Sequence, residues 1–157
     1  QLFHKRDLAS GDMPAPTSPL ISSLETGPLG IPQLTRTWLK IRLDGAGYLD
    51  GDYPACGEGL DQGVLDALGL DREETVAYVR DTKPDYLQFE DWVAGRVGKI
   101  NRARVEVFRA AMVEREHPEP KLSSIHERTG CDRGIRNGVV LNHLEDWRYA
   151  YDLVRTR

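Results

Sequence analysis

Cysteine is nearly missing from this chain: its 157 residues include only Cys56 and Cys131, with no CxxC pair and no metal-ligand spacing. That excludes a disulfide-stapled or zinc-ribbon framework and fits a reducing compartment, with one bridge between the two thiols left open. Equally missing is any apolar run of eighteen residues, so nothing in the sequence is built to span a membrane. Basic residues do not dominate either. The 21 Lys and Arg stand against 25 Asp and Glu and are interspersed with them, which removes a broad nucleic-acid or acidic-membrane surface. The N-terminus has no apolar signal core, and Gln1 stands where a nascent chain starts with Met. The expectation is a trimmed, soluble, cytoplasmic protein.

Nucleotide and metal motifs are absent too. There is no GxGxxG, Walker loop, GxSxG or HExxH, and Gly57-Glu58-Gly59 is a lone glycine pair. The histidines, His4, His117, His126 and His143, never recur at i, i+4. No cofactor and no metal are therefore expected, with a metal site gathered from distant Cys, His and Asp residues left open. Alternating strands, internal repeats and low-complexity tracts are also lacking.

What is present is helical punctuation. Residues 1–30 carry Pro14, Pro16, Pro19 and Pro28 and read as an extended arm, pinned to a body by Leu20, Ile21 and Leu24. Residues 31–157 read as one helical domain. Pro32 is placed to open a helix with Leu34, Trp38 and Ile41 on one face, ending at Gly45-Ala46-Gly47. After a loop over 48–58, Leu60, Val64, Leu65 and Leu68 outline a short helix closed by Gly69. Asp71 with Glu74 predicts a capping box, Asp85 caps a helix carrying Phe89, Trp92, Val93 and Val97, and Asn101 caps one carrying Val105, Phe108 and Met112. His117-Pro118-Glu119-Pro120 stops that helix. A short helix over Ser124–Thr129 and a long one from Asp132 to about Arg155 complete an all-α fold of six or seven helices in an irregular bundle. Trp38, Trp92 and Trp147 are expected as core anchors.

Several short segments are similar to a bacterial family of unknown function, the one numbered five thousand and sixty-nine among such domains. They are Arg6-Asp7-Leu8, Pro16-Thr17-Ser18-Pro19, Ile31-Pro32-Gln33-Leu34, Leu60-Asp61-Gln62 and Leu68-Gly69-Leu70-Asp71, spread over roughly residues 5–95. The resemblance implies a helical fold and directs attention to Asp61 and Gln62. It implies no reaction.

Candidate chemistry centres on the same stretch. Cys56 lies in a Gly/Pro loop ahead of a helix start, where the positive end of the helix dipole favours a thiolate, while Glu58 opposes it. Asp61 and Gln62 stand in the first helical turn, where a carboxylate is stabilised and an amide can orient a polar ligand. Tyr48 and Tyr53 flank the loop as candidate pocket walls. His143, with Asp146 at i+3, is the candidate acid–base partner. The leading expectation is a pocket for a small polar metabolite near the Cys56–Gln62 loop and helix start, facing the last long helix. Asp61, Cys56 and His143 would do acid–base or thiol chemistry, and Gln62, Tyr53 and Tyr48 would bind substrate. The alternative is a non-catalytic module for a protein partner or a second copy of the chain. The third reading is a helix-turn-helix over Ser124–Asn137 with Arg133 and Arg136 opening the reading helix. It is weakened by a near-balanced charge after residue 121 and by Gly134 and Gly138.

Overall fold

The structure, a computed structural model of the chain, describes residues 16–155. His4, Arg6-Asp7-Leu8 and the first half of the arm lie outside the described residues. Seven helices follow in order: α1 (Leu34–Gly45), α2 (Leu60–Leu68), α3 (Arg72–Thr82), α4 (Tyr86–Val97), α5 (Arg102–Glu114), α6 (Lys121–Thr129) and α7 (Gly138–Arg155). Among the described residues the only strand-like pairings are two isolated bridges, Thr17 with Leu49 and Glu116 with Asn137. The fold is all-α. No described helix is long and apolar enough to cross a membrane.

Local chemistry sets most helix ends. The Asp71 carboxylate accepts from the Glu74 N–H at 2.8 Å, and Asp85 with Gln88 forms a reciprocal capping box. Asn101 accepts from the Arg104 N–H at 3.1 Å. Gly69 closes α2 with φ 72°, a left-handed conformation that a side chain disfavours. α2 packs on α5, α1 on α2, α3 and α4, and α6 on α7. At the α2–α5 contact, Gly63 lets Phe108 approach so closely that an added Cβ would lie 2.8 Å from the ring. Ile31, Leu34, Ile41, Val64, Leu65, Val79, Phe89 and Val93 form the centre of the main core, all fully buried. Each such side chain contributes roughly 1.5–3 kcal/mol by leaving water. A second cluster, Leu122, Ile125 and Leu141, holds α6 to α7.

Three expectations are corrected. Pro32 does not open α1. It sits in a turn, and Gln33 enters the helix with φ 68°. The last helix starts at Gly138, six residues later than expected. The Asp132 side chain accepts from the Gly134 N–H at 2.6 Å and its carbonyl from the Ile135 N–H at 3.0 Å, closing a turn. The Asn137 side chain then accepts from the Val139 and Val140 N–H groups, both at 3.1 Å, and starts α7. Arg133 and Arg136 thus precede the helix they were expected to open, and Arg136 pairs with Glu116 at 2.9 Å. Finally, Trp38 and Trp92 do pack against the core, but Trp147 is 62% exposed. α7 turns Leu141 inward, and a position six residues on is separated from it by about 120° around the helix.

Candidate functional site

Two polar stripes build the site. On α1 and its cap, Gln33, Arg36, Thr37 and Lys40 recur at i, i+3, i+4 and i+7, the spacing of one helix face, and all four are buried. On α7, Asn142, Glu145, Asp146 and Tyr149 repeat the same spacing. Between the stripes lie the loop ahead of α2 and the link from α5 to α6. They enclose a cleft of about 270 Å³, walled by Gln33, Arg36 and Lys40, by Tyr53 and residues 57–61, by Arg115, His117 and Lys121, and by Asn142 and Glu145.

Asp61 anchors one wall and is 2% exposed. Its Oδ1 accepts from Gln33 Nε2 at 2.8 Å and Thr37 Oγ1 at 2.7 Å. Oδ2 accepts from Lys40 Nζ and, at 2.7 Å, from the Gly57 N–H. Burial alone would raise its pKa, yet the Lys40 charge and these donors hold the carboxyl below its ordinary value. All four acceptor sites of the carboxylate are taken, so none is left for a substrate proton. The arrangement also fixes the Gln33 amide. A carboxylate only accepts, so the NH₂ must face Asp61, and Gln33 Oε1 is left buried with no hydrogen-bond partner among the described residues.

The second anchor spans the chain. Arg36 binds Asp146 through two hydrogen bonds, 2.5 and 3.0 Å, and also donates to the Pro19 and Ile21 carbonyls, each at 2.7 Å. Burial would lower the Arg36 pKa, but the bonded Asp146 carboxylate outweighs it and raises it. Tyr53 Oη donates to Asp146 Oδ1 at 2.9 Å, and burial together with that carboxylate pushes the phenol strongly up.

Three further ionisable groups face the cleft. Burial raises the Glu145 carboxyl above its ordinary value, against the opposing charges of Lys121 and Arg128. Burial lowers His117, whose Nε2 lies 2.8 Å from Asn142 Oδ1. Lys121 is an exposed residue, yet enough protein surrounds it to lower its pKa. Glu145 opposes that shift, while Lys40, Arg115 and Arg36 add to it.

No family model, curated protein or solved structure matches this chain. What the cleft can do must therefore be read from its own side chains.

The residues singled out from sequence are dispersed around it. Asp61 and Tyr53 line the cleft, while Gln62, Tyr48, Cys56 and His143 are not among its walls. Gln62 turns along its own helix to Asp66 Oδ1 at 2.8 Å. The Tyr48 backbone is engaged by Leu43 and Thr17, which ties the arm to the end of α1. His143 meets Ser22 Oγ at 2.7 Å and stacks on Trp147, because its expected partner Asp146 is committed to Arg36. Cys56 is 5% exposed within the main core. Burial, then Asp61, raises its thiol pKa against Arg72 and Lys40, opposite to the expected lowering. Both cysteines are free, and Cys131 is only half-buried. With iodoacetamide near neutral pH, Cys131 should therefore label well ahead of Cys56, and Cys56 should react only as urea unfolds the chain. Faster labelling of Cys56 in the folded protein would contradict this placement. Among the described residues, no cluster of three or more His, Cys, Asp or Glu is grouped as a metal site.

Arg36, Lys40, Gln33, Arg115, His117, Lys121, Asn142 and Glu145 were not picked out beforehand as cleft residues. The usable signal was the pair of i, i+3, i+4, i+7 polar stripes, one of them directly beside the apolar row Leu34–Trp38–Ile41.

Proposed function

We propose that the protein binds a small polar metabolite in this cleft. In an enzymatic version Glu145 is the proton donor, and neither a cofactor nor a thiol takes part. The observation that carries the reading is Gln33. It lines the cleft, is 2% exposed, holds φ 68°, gives its NH₂ to Asp61, and keeps Oε1 buried and unpaired among the described residues. Left-handed backbone at a non-glycine residue and an unpaired buried carbonyl each cost about 1–3 kcal/mol. Such costs concentrate where a ligand supplies the missing partner. A raised carboxyl pKa at Glu145 keeps a proton available to higher pH, as general acids require. Kinship with the family of unknown function is part of the same proposal and rests on the short segments around Asp61 and Asp71. So is a cytoplasmic location, which two free thiols support.

The test is a nuclear magnetic resonance titration of ¹⁵N-labelled protein with ethylene glycol, glycolamide and urea as neutral polar probes. Shifts should gather at Tyr53, Gly57, Asn142 and Glu145 and vanish in Gln33→Gly. That variant should stay folded and be about 1 kcal/mol more stable than Gln33→Ala, since glycine tolerates the positive φ. Absence of cleft shifts with every probe, neutral or anionic, would sink the proposal. The non-catalytic reading has its own support in Trp147, Tyr151 and Val154, exposed at i, i+4 and i+7 on α7. Shifts confined to that face would favour it.

A further inference from the structure

The charges around the cleft are unevenly matched. Asp146 neutralises Arg36, Asp61 neutralises Lys40, and Arg128 pairs with both Asp52 and Glu145. Two cations on the cleft wall have no carboxylate at ion-pair distance, although Glu145 is the acidic group that faces Lys121. Neither Arg115 nor Lys121 forms an ion pair or a side-chain hydrogen bond among the described residues. They come from the two ends of one link, Arg115 from the end of α5 and Lys121 from the start of α6. Arg115 lies flat against Gly59, where an added Cβ would stand 2.9 Å from Nη2 and 3.1 Å from Nη1. A side chain at residue 59 would push the guanidinium out of that position. The one unmatched carboxylate on the wall, Glu58, is exposed.

Building on the reading of the cleft as a metabolite site, we propose that Arg115 and Lys121 form an oxyanion clamp. They would hold the carboxylate or phosphate of a small molecule that also carries an O–H or N–H for Gln33 Oε1. A guanidinium offers five donors in a planar fork that matches either group, and an ammonium adds a point charge beside it. Gln33 Oε1 can only accept, so any ligand group that reaches it is a donor. At about 270 Å³, the cleft has room for a small molecule such as a hydroxy acid or a small phosphate ester. Around Lys121, Glu145 supplies the strongest charge and partly offsets Lys40, Arg115 and Arg36, and a bound anion would offset those cations further.

Calorimetric and nuclear magnetic resonance titrations with inorganic phosphate, glycolate and the neutral isostere glycolamide test this. At least one anion should bind with shifts at Gly57, Gly59 and Asn142, and more tightly than glycolamide. Arg115→Gln and Lys121→Met should each weaken it tenfold or more. Lys121→Arg should retain most of the affinity, and Arg109→Gln, which breaks an exposed pair elsewhere, should change nothing. Gly59→Ala offers an independent route, because it displaces the Arg115 fork without removing a charge. Tighter binding of phosphate would assign a phosphate ligand, and tighter glycolate a carboxylate. If glycolamide binds in the cleft as well as the anions do, or the Arg115→Gln/Lys121→Met double variant binds them like wild type, the clamp is refuted while the metabolite site stands. If no probe, charged or neutral, shifts the cleft, both are refuted.

Discussion

Asp61→Asn is expected to destabilise the protein by about 3–5 kcal/mol, the cost of breaking a buried ion pair by removing one partner. The reason is the completeness of the wild-type arrangement. Lys40 and Asp61 are 6% and 2% exposed, and the carboxylate takes two donors on each oxygen. An asparagine must turn an NH₂ toward two of those donors and leaves the Lys40 ammonium buried without a counter-charge. Urea unfolding would read the loss as a lower midpoint with an unchanged slope. Removing both partners together, as Lys40→Met with Asp61→Leu, should cost far less than the sum of the single changes, because no charge is then stranded. The acid limb gives a second readout. The folded pKa of Asp61 is depressed, so its contribution is fully present above the unfolded value of about 3.9 and is lost as pH falls through the folded value. The asparagine variant should lack that part of the acid sensitivity. A cost below 1 kcal/mol would show that Lys40 and Asp61 are not paired in the folded protein. The same saturation makes Asp61 a scaffold for Lys40 and Gln33 rather than a base.

How much of this was legible in the sequence differs between fold and site. Helix existence followed from local chemistry that acts within four residues: Asp71, Asp85 and Asn101 cap where their side chains reach the next N–H groups, and Gly69 ends a helix where it stands. The start of α7 was misplaced because Asp132 and Asn137 are both cap-type residues. Only the turn closed through Gly134 and Ile135 decides between them. The site is harder for a physical reason. Charged residues at helical spacing usually form a solvated face, and Arg36 with Lys40 reads that way until Asp146 and Asp61 are brought to them. Arg36 and Asp146 are 110 positions apart, so no window of sequence contains the pair. The stretch from Cys56 to Gln62 did mark one wall of the cleft. It did not reveal that Cys56 faces the core or that Gln62 turns to Asp66.

Arg36→Lys is expected to fail as a conservative replacement and to cost nearly as much as Arg36→Met, about 3–5 kcal/mol. Arg36 Nη1 reaches three acceptors, the Pro19 and Ile21 carbonyls and Asp146 Oδ2, while Nη2 holds Asp146 Oδ1. One planar fork thus ties α1, α7 and the arm together. A lysine ammonium has three donors on a single atom and cannot serve both sides of that junction. Its loss strands Asp146, which keeps only Tyr53 Oη as a side-chain partner among the described residues. The arm should loosen first. Ser18 Oγ leans on the Asp146 carbonyl at 3.4 Å, and Ser22 Oγ meets His143 at 2.7 Å, so both contacts depend on how α7 sits against residues 17–23. Limited proteolysis should therefore cut Arg36→Lys within residues 17–25 under conditions that spare wild type, and amide exchange there should quicken before that of α4. Wild-type stability and protection in Arg36→Lys would mean that the junction is held by the apolar contacts of α1 alone. If the arm is released as expected, the cleft loses its outer brace at Tyr53 as well, and the probes that shift Tyr53 in wild type should bind more weakly to this variant. Fold stability and cleft geometry are then two readings of one side chain.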